Sequence, residues 1–141
     1  MAQGNYGSKI DLSNAYFQKR VHPDDVKFNT SKTPFGGFTS QVMMQGDMNA
    51  AASFVIVIEN LFHDEFGKFI WIYINNMFIF SNSFEERIEH VQHACKKLKE
   101  HKFYAYPKKI VFSAAKLDIL GHMIEDKGIH PAPAKIRNIM D

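Results

Sequence analysis

Apolar residues fall along this chain in two rhythms. Phe69-Ile70-Trp71-Ile72-Tyr73-Ile74 and Met77-Phe78-Ile79-Phe80 are near-continuous apolar runs of strand length, separated by Asn75-Asn76. Aromatic and β-branched residues favour extended backbone, and asparagine tolerates the positive φ of tight turns. The stretch 69–81 therefore reads as a β-hairpin turning at the asparagine pair. Arms that are apolar on nearly every residue suit a central hairpin with protein on each face. Ala50 to Phe62 is apolar on almost every side, and its length and leading alanines predict a buried helix near 49–65 capped by Asn49. Ser83-Phe84-Glu85-Glu86 is a capping box that opens a second helix over 84–102. Its apolar face is Phe84, Ile88, Val91, Cys95 and Leu98, with acids at the start and lysines at the end, as the helix dipole prefers.

Shorter signals fill the rest. Ile10-Asp11-Leu12 reads as a strand, Pro23 opens a short helical turn, and Ile110–Phe112 and Leu117–Ile124 read as further strands turning at Asp126-Lys127-Gly128. Pro131 and Pro133 open a last helix. Residues 1–8 are small and polar with two glycines and are expected to be a loose terminus. The expectation is one α+β domain over 9–141, an antiparallel sheet centred on 69–81 and backed by the two helices.

Composition adds little to this. The chain has 141 residues, 45% hydrophobic and 13% aromatic, enough for one packed core. A formal net charge of +2 does not by itself mark a nucleic-acid binder, although Lys96, Lys97, Lys99, Lys102, Lys108, Lys109 and Lys116 crowd a segment with few acids. The single cysteine, Cys95, excludes an internal disulfide and fits a reducing, intracellular compartment. No apolar run reaches membrane-spanning length, and Met1 to Ser8 lacks the apolar segment of a signal peptide, so no membrane partner is expected.

Several residues invite a chemical reading beside a structural one. Asp11, between aliphatic residues at a strand end, is either a metal ligand or a cap for the next turn. Tyr16 is either a site residue or a core tyrosine with one wet edge. His90 and His93 are spaced as a metal pair, but no further ligand set accompanies them. Cys95, on the predicted apolar face, reads as a buried inert thiol.

Taken in order, the blocks resemble the reverse transcriptases of gypsy-type LTR retrotransposons. Tyr73-Ile74-Asn75-Asn76 stands where that family carries Tyr-x-Asp-Asp, and Ile10-Asp11-Leu12-Ser13-Asn14-Ala15-Tyr16 resembles its first catalytic block. Thr33-Pro34-Phe35-Gly36 is similar to the fingers turn, and Val42-Met43-Met44-Gln45-Gly46 with Asn49-Ala50 to the block beside the nascent base pair. Leu120-Gly121-His122-Met123-Ile124 with Asp126 to Ile129 resembles the primer grip. The resemblance implies a palm with a partial fingers segment at about 18–44, without thumb, connection or ribonuclease H. It also implies a catalytic triad at Asp11, Asn75 and Asn76, nucleotide contacts at Tyr16, Gln45 and Gly46, and a primer grip at 120–124.

Both turn aspartates of the pattern are asparagine here, which leaves Asp11 as the one carboxylate for what the resemblance implies was a pair of magnesium ions. At most a weak metal ligand is expected there, and no working cofactor. Asp47, where the family has an apolar residue, favours a helix N-terminus and would repel a triphosphate. The implied protein is a catalytically inactive interaction module, most simply a homodimer joined through Phe28, Phe35 and Phe38, whose packing partners in the other half of the fingers are absent. The alternatives are a pseudoenzyme that still binds DNA or RNA, and a fragment of an active RNA-directed DNA polymerase.

Overall fold

The computed structural model describes residues 6–114, 117–119, 122–125 and 128–131. Its centre is an antiparallel four-stranded sheet of β1 (Tyr6–Asp11), β4 (Ile70–Tyr73), β5 (Asn76–Ser81) and β6 (Val111–Ala114), in the order β4-β5-β1-β6. Between β1 and β4 lie β2 (Thr30–Thr33), β3 (Gly36–Thr39) and helix α1 (Ala50–Leu61). Helix α2 (Phe84–Glu100) follows β5. A separate three-stranded sheet holds β7 (Leu117–Ile119), β8 (His122–Glu125) and β9 (Gly128–Pro131). The expected α+β architecture is present. The turn region at Asp126-Lys127 and the last helix fall outside the described residues.

The alternation of β1 explains the layering. Ser8, Ile10 and Leu12 point to the helices and are buried, while Lys9 and Asp11 point to the other face. Ile10, Leu12, Ile70, Met77 and Ile79 from the sheet meet Phe54, Ile58 and Phe62 of the α1 region and Ala94 and Leu98 of α2 in one core. Tyr16 and Phe103 pack edge-on against Phe54 from either side, with centroids at 6.0 and 6.1 Å. The other face is only partly covered: Tyr73 is 46% exposed, so the hairpin is not enclosed on both sides as its apolar arms suggested.

Several local expectations need correction. The hairpin turns at Ile74-Asn75, not at the asparagine pair, because Asn76 already pairs with Tyr73 as the first residue of β5. Residues Tyr6–Ser8 are not a loose terminus but the start of β1, with Ser8 fully buried. Asn49 makes no side-chain cap, since its backbone (φ −101°, ψ 4°) is not extended as capping requires. Ser83 does cap α2, accepting from Glu86 N–H at 3.1 Å. Glu86 reaches back to Asn82 N–H at 3.1 Å, one residue earlier than a capping box predicts.

The buried face of α2 is also rotated from the expected one. Arg87, Ala94 and Leu98 are buried and Cys95 is exposed. Arg87 explains the rotation. It is buried, with its guanidinium 5.8 Å from the Phe84 ring centre and Nε donating to Ser8 Oγ at 3.0 Å, so a charged residue takes a place the pattern would give to Ile88. Burial pulls its pKa below the ordinary value, and its Nη1 has no hydrogen-bond partner among the described residues.

One carboxylate ties the two helices together. Glu65, just past α1, accepts two bonds from Lys97 Nζ at 2.7 and 2.9 Å and contacts His93 Nε2 at 2.5 Å. Its backbone carbonyl accepts the N–H groups of Lys68, Phe69 and Ile70 at 3.1, 3.2 and 3.2 Å. His93 is thus occupied, and His90 stacks on Phe69 with centroids 3.8 Å apart and bonds Ser81 Oγ at 2.8 Å, so the two histidines do not converge on a metal.

Burial of Glu65 pushes its pKa up, but the hydrogen bonds from Lys97 and His93 and the charge of Lys97 outweigh it, leaving the carboxyl below its ordinary value of 4.5. A depressed carboxyl stabilises the fold above its unfolded-state pKa, and that stability is lost as pH falls through the folded value. Glu65→Gln is therefore expected to cost about 2 kcal/mol at pH 7 in urea unfolding. The gap to the unaltered chain should narrow below about pH 4.5.

Candidate functional site

The site assembles where β1 ends against the hairpin turn. Asp11 and Asn76 are direct cross-strand partners, so their side chains leave the same face side by side. The turn is fixed to the next residue of the chain, Leu12 N–H donating to the carbonyl of Asn75 at 2.9 Å. Sheet register alone therefore gathers the three positions expected to carry chemistry, Asp11, Asn75 and Asn76. Ile74, beside them, is held at φ 54°, a conformation that costs a β-branched residue free energy and that the tight turn imposes.

The polar atoms at this junction are few. Asn76 Nδ2 donates to Asn75 Oδ1 at 3.1 Å, which commits one of the two amide oxygens to a neighbouring amide. Asn76 Oδ1 is buried and has no hydrogen-bond partner among the described residues. The Asp11 side chain is 14% exposed, and Lys109 Nζ lies 3.8 Å from its Oδ2. Lys109 is carried there by a strap that crosses the end of β1: Ser13 N–H donates to Tyr104 O at 2.9 Å, and Tyr106 N–H to Asp11 O at 2.8 Å. Gln18 locks the strap by donating to Tyr104 O at 2.9 Å and accepting from Tyr104 N–H at 2.7 Å. Neither Lys109 nor Gln18 stands out in the sequence, because each acts through a backbone crossing that no local pattern announces.

A pair of magnesium ions needs several hard anionic oxygens. Here stand one carboxylate, with an ammonium nitrogen 3.8 Å from it, and one amide oxygen without a hydrogen-bond partner among the described residues. Among the described residues no group of three His, Cys, Asp or Glu side chains gathers to hold a metal. The donor set does not fit the pair.

The other expected site residues are placed less tightly. Tyr16 sits on a 3₁₀ turn (Ala15–Gln18) directly after the Asp11 strand, half-buried with its ring edge on Phe54. Gln45 and Gly46 are exposed in the turn before α1, where Gly46 adopts φ 102°. Asp47 closes that turn by accepting from Met44 N–H at 2.9 Å, so its carboxylate is used locally and not on the helix end. Of the expected primer grip, Leu120 and Gly121 lie outside the described residues. His122, Met123 and Ile124 belong to β8, and His122 is exposed.

The reverse transcriptase (RNA-dependent DNA polymerase) family matches residues 1–124, and the chain belongs to it. Among its relatives is an RNA-directed DNA polymerase homolog of Oenothera berteroana, 32% identical over 95 residues, covering 65% of this chain and 67% of that one. The retrovirus-related Pol polyprotein from transposon 297 of Drosophila melanogaster is 26% identical over 135 residues, 96% of this chain but 13% of that polyprotein. The transposon Tf2-7 polyprotein of Schizosaccharomyces pombe is 28% identical over 133 residues, 94% of this chain and 10% of its own length. This chain thus spans a small part of the polyproteins it matches. The fold agrees: the foamy viral protease-reverse transcriptase in complex with RNA/DNA hybrid superposes with a TM-score of 0.91 at 20% identity, over 100% of this chain and 19% of that one.

Carboxylates at both turn asparagines should add electrostatic strain beside Asp11. Without metal, Asn75→Asp/Asn76→Asp places like charges beside Asp11 and raises their pKa values in the folded state. The double variant is expected to lose about 1–2 kcal/mol at pH 7, and the loss should disappear as pH falls and the carboxyls protonate, measured by thermal unfolding in EDTA.

Proposed function

We propose that this is a catalytically silent reverse transcriptase palm of gypsy-type retroelement descent, acting as an assembly module that pairs with a second copy. One observation carries the silent reading. Asp11 and Asn76 are cross-strand partners with Asn75 beside them, and these three residues offer a single carboxylate and two amides joined by one hydrogen bond, with the Lys109 ammonium 3.8 Å from the carboxylate. Dimerisation is favoured by the ribbon of β2 and β3, all of whose residues are exposed, and by Phe28, Phe35 and Phe38 at 77, 93 and 59% exposure. A two-stranded ribbon is marginal without a cover. Both roles suit an intracellular protein, and no helix among the described residues is long and apolar enough to cross a membrane.

A second reading, a pseudoenzyme that grips DNA or RNA, is supported by the lysine-rich segment 96–116 and by solved relatives in complex with RNA/DNA hybrid and with double-stranded DNA. Phosphate contacts make binding fall steeply with salt, so a salt-independent association would remove it.

Incubated with a primed RNA or DNA template, nucleotides and magnesium, the chain is expected to add no nucleotide. Extension would instead identify it as a fragment of an active RNA-directed DNA polymerase. Light scattering after size exclusion is expected to give a dimer at micromolar concentration that Phe35→Ser/Phe38→Ser converts to monomer, and a monomeric parent chain would sink the assembly role.

A further inference from the structure

The ribbon of β2 and β3 offers a second strand a particular edge. Thr33 and Gly36 flank its two-residue turn, and the register runs on through Lys32↔Gly37, Ser31↔Phe38 and Thr30↔Thr39. In such a hairpin the pair beside the turn exchanges its backbone bonds, and bonded and non-bonded pairs alternate from there. Ser40 N–H donates to Asn29 O at 2.9 Å, which keeps the same phase at the foot of the ribbon. The N–H and C=O groups of Gly37 and Thr39 therefore point out along the free edge of β3, and those of Thr30 and Lys32 along the free edge of β2. Among the described residues no loop or cap bond from another element reaches the backbone of Gly37 or Thr39.

The two edges differ in chemistry. Lys32 puts a charge on β2, Pro34 follows that strand, and Thr30 Oγ is held by Lys27 O at 2.8 Å. Gly36-Gly37-Phe38-Thr39 carries no charge and no proline, the features by which edge strands are protected. This edge is also complementary to itself. When two copies of β3 lie antiparallel with their outward groups matched, Gly37 of each exchanges both backbone bonds with Thr39 of the other. Phe38 then falls on the twofold axis. It faces its own copy across a non-bonded pair, whose Cα atoms stand about 4.5 Å apart and whose side chains share one face. Two rings that are exposed in the single chain thus cover each other. Pairing β2 with β3 of another copy is head-to-tail instead and has no twofold axis to close it.

We infer that two copies join edge to edge along β3, so that two two-stranded ribbons become one continuous antiparallel sheet centred on Phe38. The inference rests on the assembly reading and specifies its contact. Backbone pairing fixes the orientation of the copies, and the facing Phe38 rings supply the apolar burial.

Charge exchange at the axis tests this, because only a residue that faces its own copy can be rescued by mixing. Phe38→Lys and Phe38→Glu are each expected to be monomeric by light scattering after size exclusion, since like charges directly opposite repel. Mixed in equal amounts they are expected to recover the dimer mass. A mixture that stays monomeric, or either variant dimeric alone, would overturn the inference. Proline reads the backbone separately. Thr39→Pro removes an outward donor of β3 without touching the ladder to β2, and is expected to give monomer. Lys32→Pro, the same change on the β2 edge, is expected to leave the dimer intact. Thr39→Pro without effect, or Lys32→Pro equally disruptive, would also overturn the inference. Circular dichroism of each variant, matched to the parent chain, separates loss of the contact from loss of fold. A monomeric parent would remove the assembly reading itself. A dimeric parent indifferent to all four changes would keep that reading and reject only the β3 edge.

Discussion

The pairing of β1 with β5 is the constraint on which the rest of the molecule depends. Six residues run in unbroken antiparallel register from Tyr6 opposite Ser81 to Asp11 opposite Asn76. The inward residues of these two strands, Ser8, Ile10, Met77 and Ile79, lie at the heart of the core. A slip of one residue would turn Ile10 outward and bury Asp11, so the hydrophobic demand for register also fixes the site geometry. Packing thus maintains the meeting of Asp11 and Asn76 whether or not the meeting has a chemical use.

Around that ladder the molecule is held by polar fasteners at places where the chain changes direction. Glu65 joins the exit from α1 to the flank of α2, Gln18 clamps the strap at Tyr104, and Asp47 closes the turn ahead of α1. Glu65 is buried, whereas the bonds of Gln18 and Asp47 lie at the surface and fix the path of the chain there. At the base of the β2–β3 ribbon Asn29 ties its two ends to each other, donating to Ser40 and Val42 at 3.0 and 2.9 Å, and backbone bonds from Val21 N–H to Gln41 O and from Met43 N–H to Lys19 O, each 2.9 Å, join it to the segment that follows β1.

Most of the architecture was legible in the chain because its elements are long and strongly patterned. The hairpin arms, α1 and α2 declare themselves by apolar runs, alanines and the Ser83 cap. The ordered blocks around Asp11 and Tyr73–Asn76 resemble reverse transcriptases, and the family model bears out membership of that family at this coarser level. What failed was of shorter range. The turn moved by one residue because register, set by Met77 and Ile79 facing the core, overrode the preference of asparagine for the turn. The face of α2 rotated because Arg87 takes a buried place, which a pattern of apolar letters does not count. The contacts of Lys109 with Asp11 and of Gln18 with Tyr104 could not be read from the sequence. Their partners lie far off in sequence and are met only when the strap folds across β1.

The outer side of β4 has a consequence for how this domain behaves in a crowded solution. The flanking pair Tyr73 and Asn76 closes a two-residue turn, so strand alternation directs the backbone groups of Ile70 and Ile72 away from β5. Ile70 is already engaged by its own loop, its N–H on Glu65 O at 3.2 Å and its carbonyl by Gly67 N–H at 3.0 Å. Only Ile72 is left to offer a donor and an acceptor to a foreign strand, too little to template a ladder. Although its sequence here is a run of β-prone apolar residues of the kind that seeds fibres, the folded chain presents it as a blunted margin. Growth of the sheet from molecule to molecule along β4 therefore requires the loop 65–70 to open first, which couples resistance to aggregation directly to the hold of Glu65 on α2.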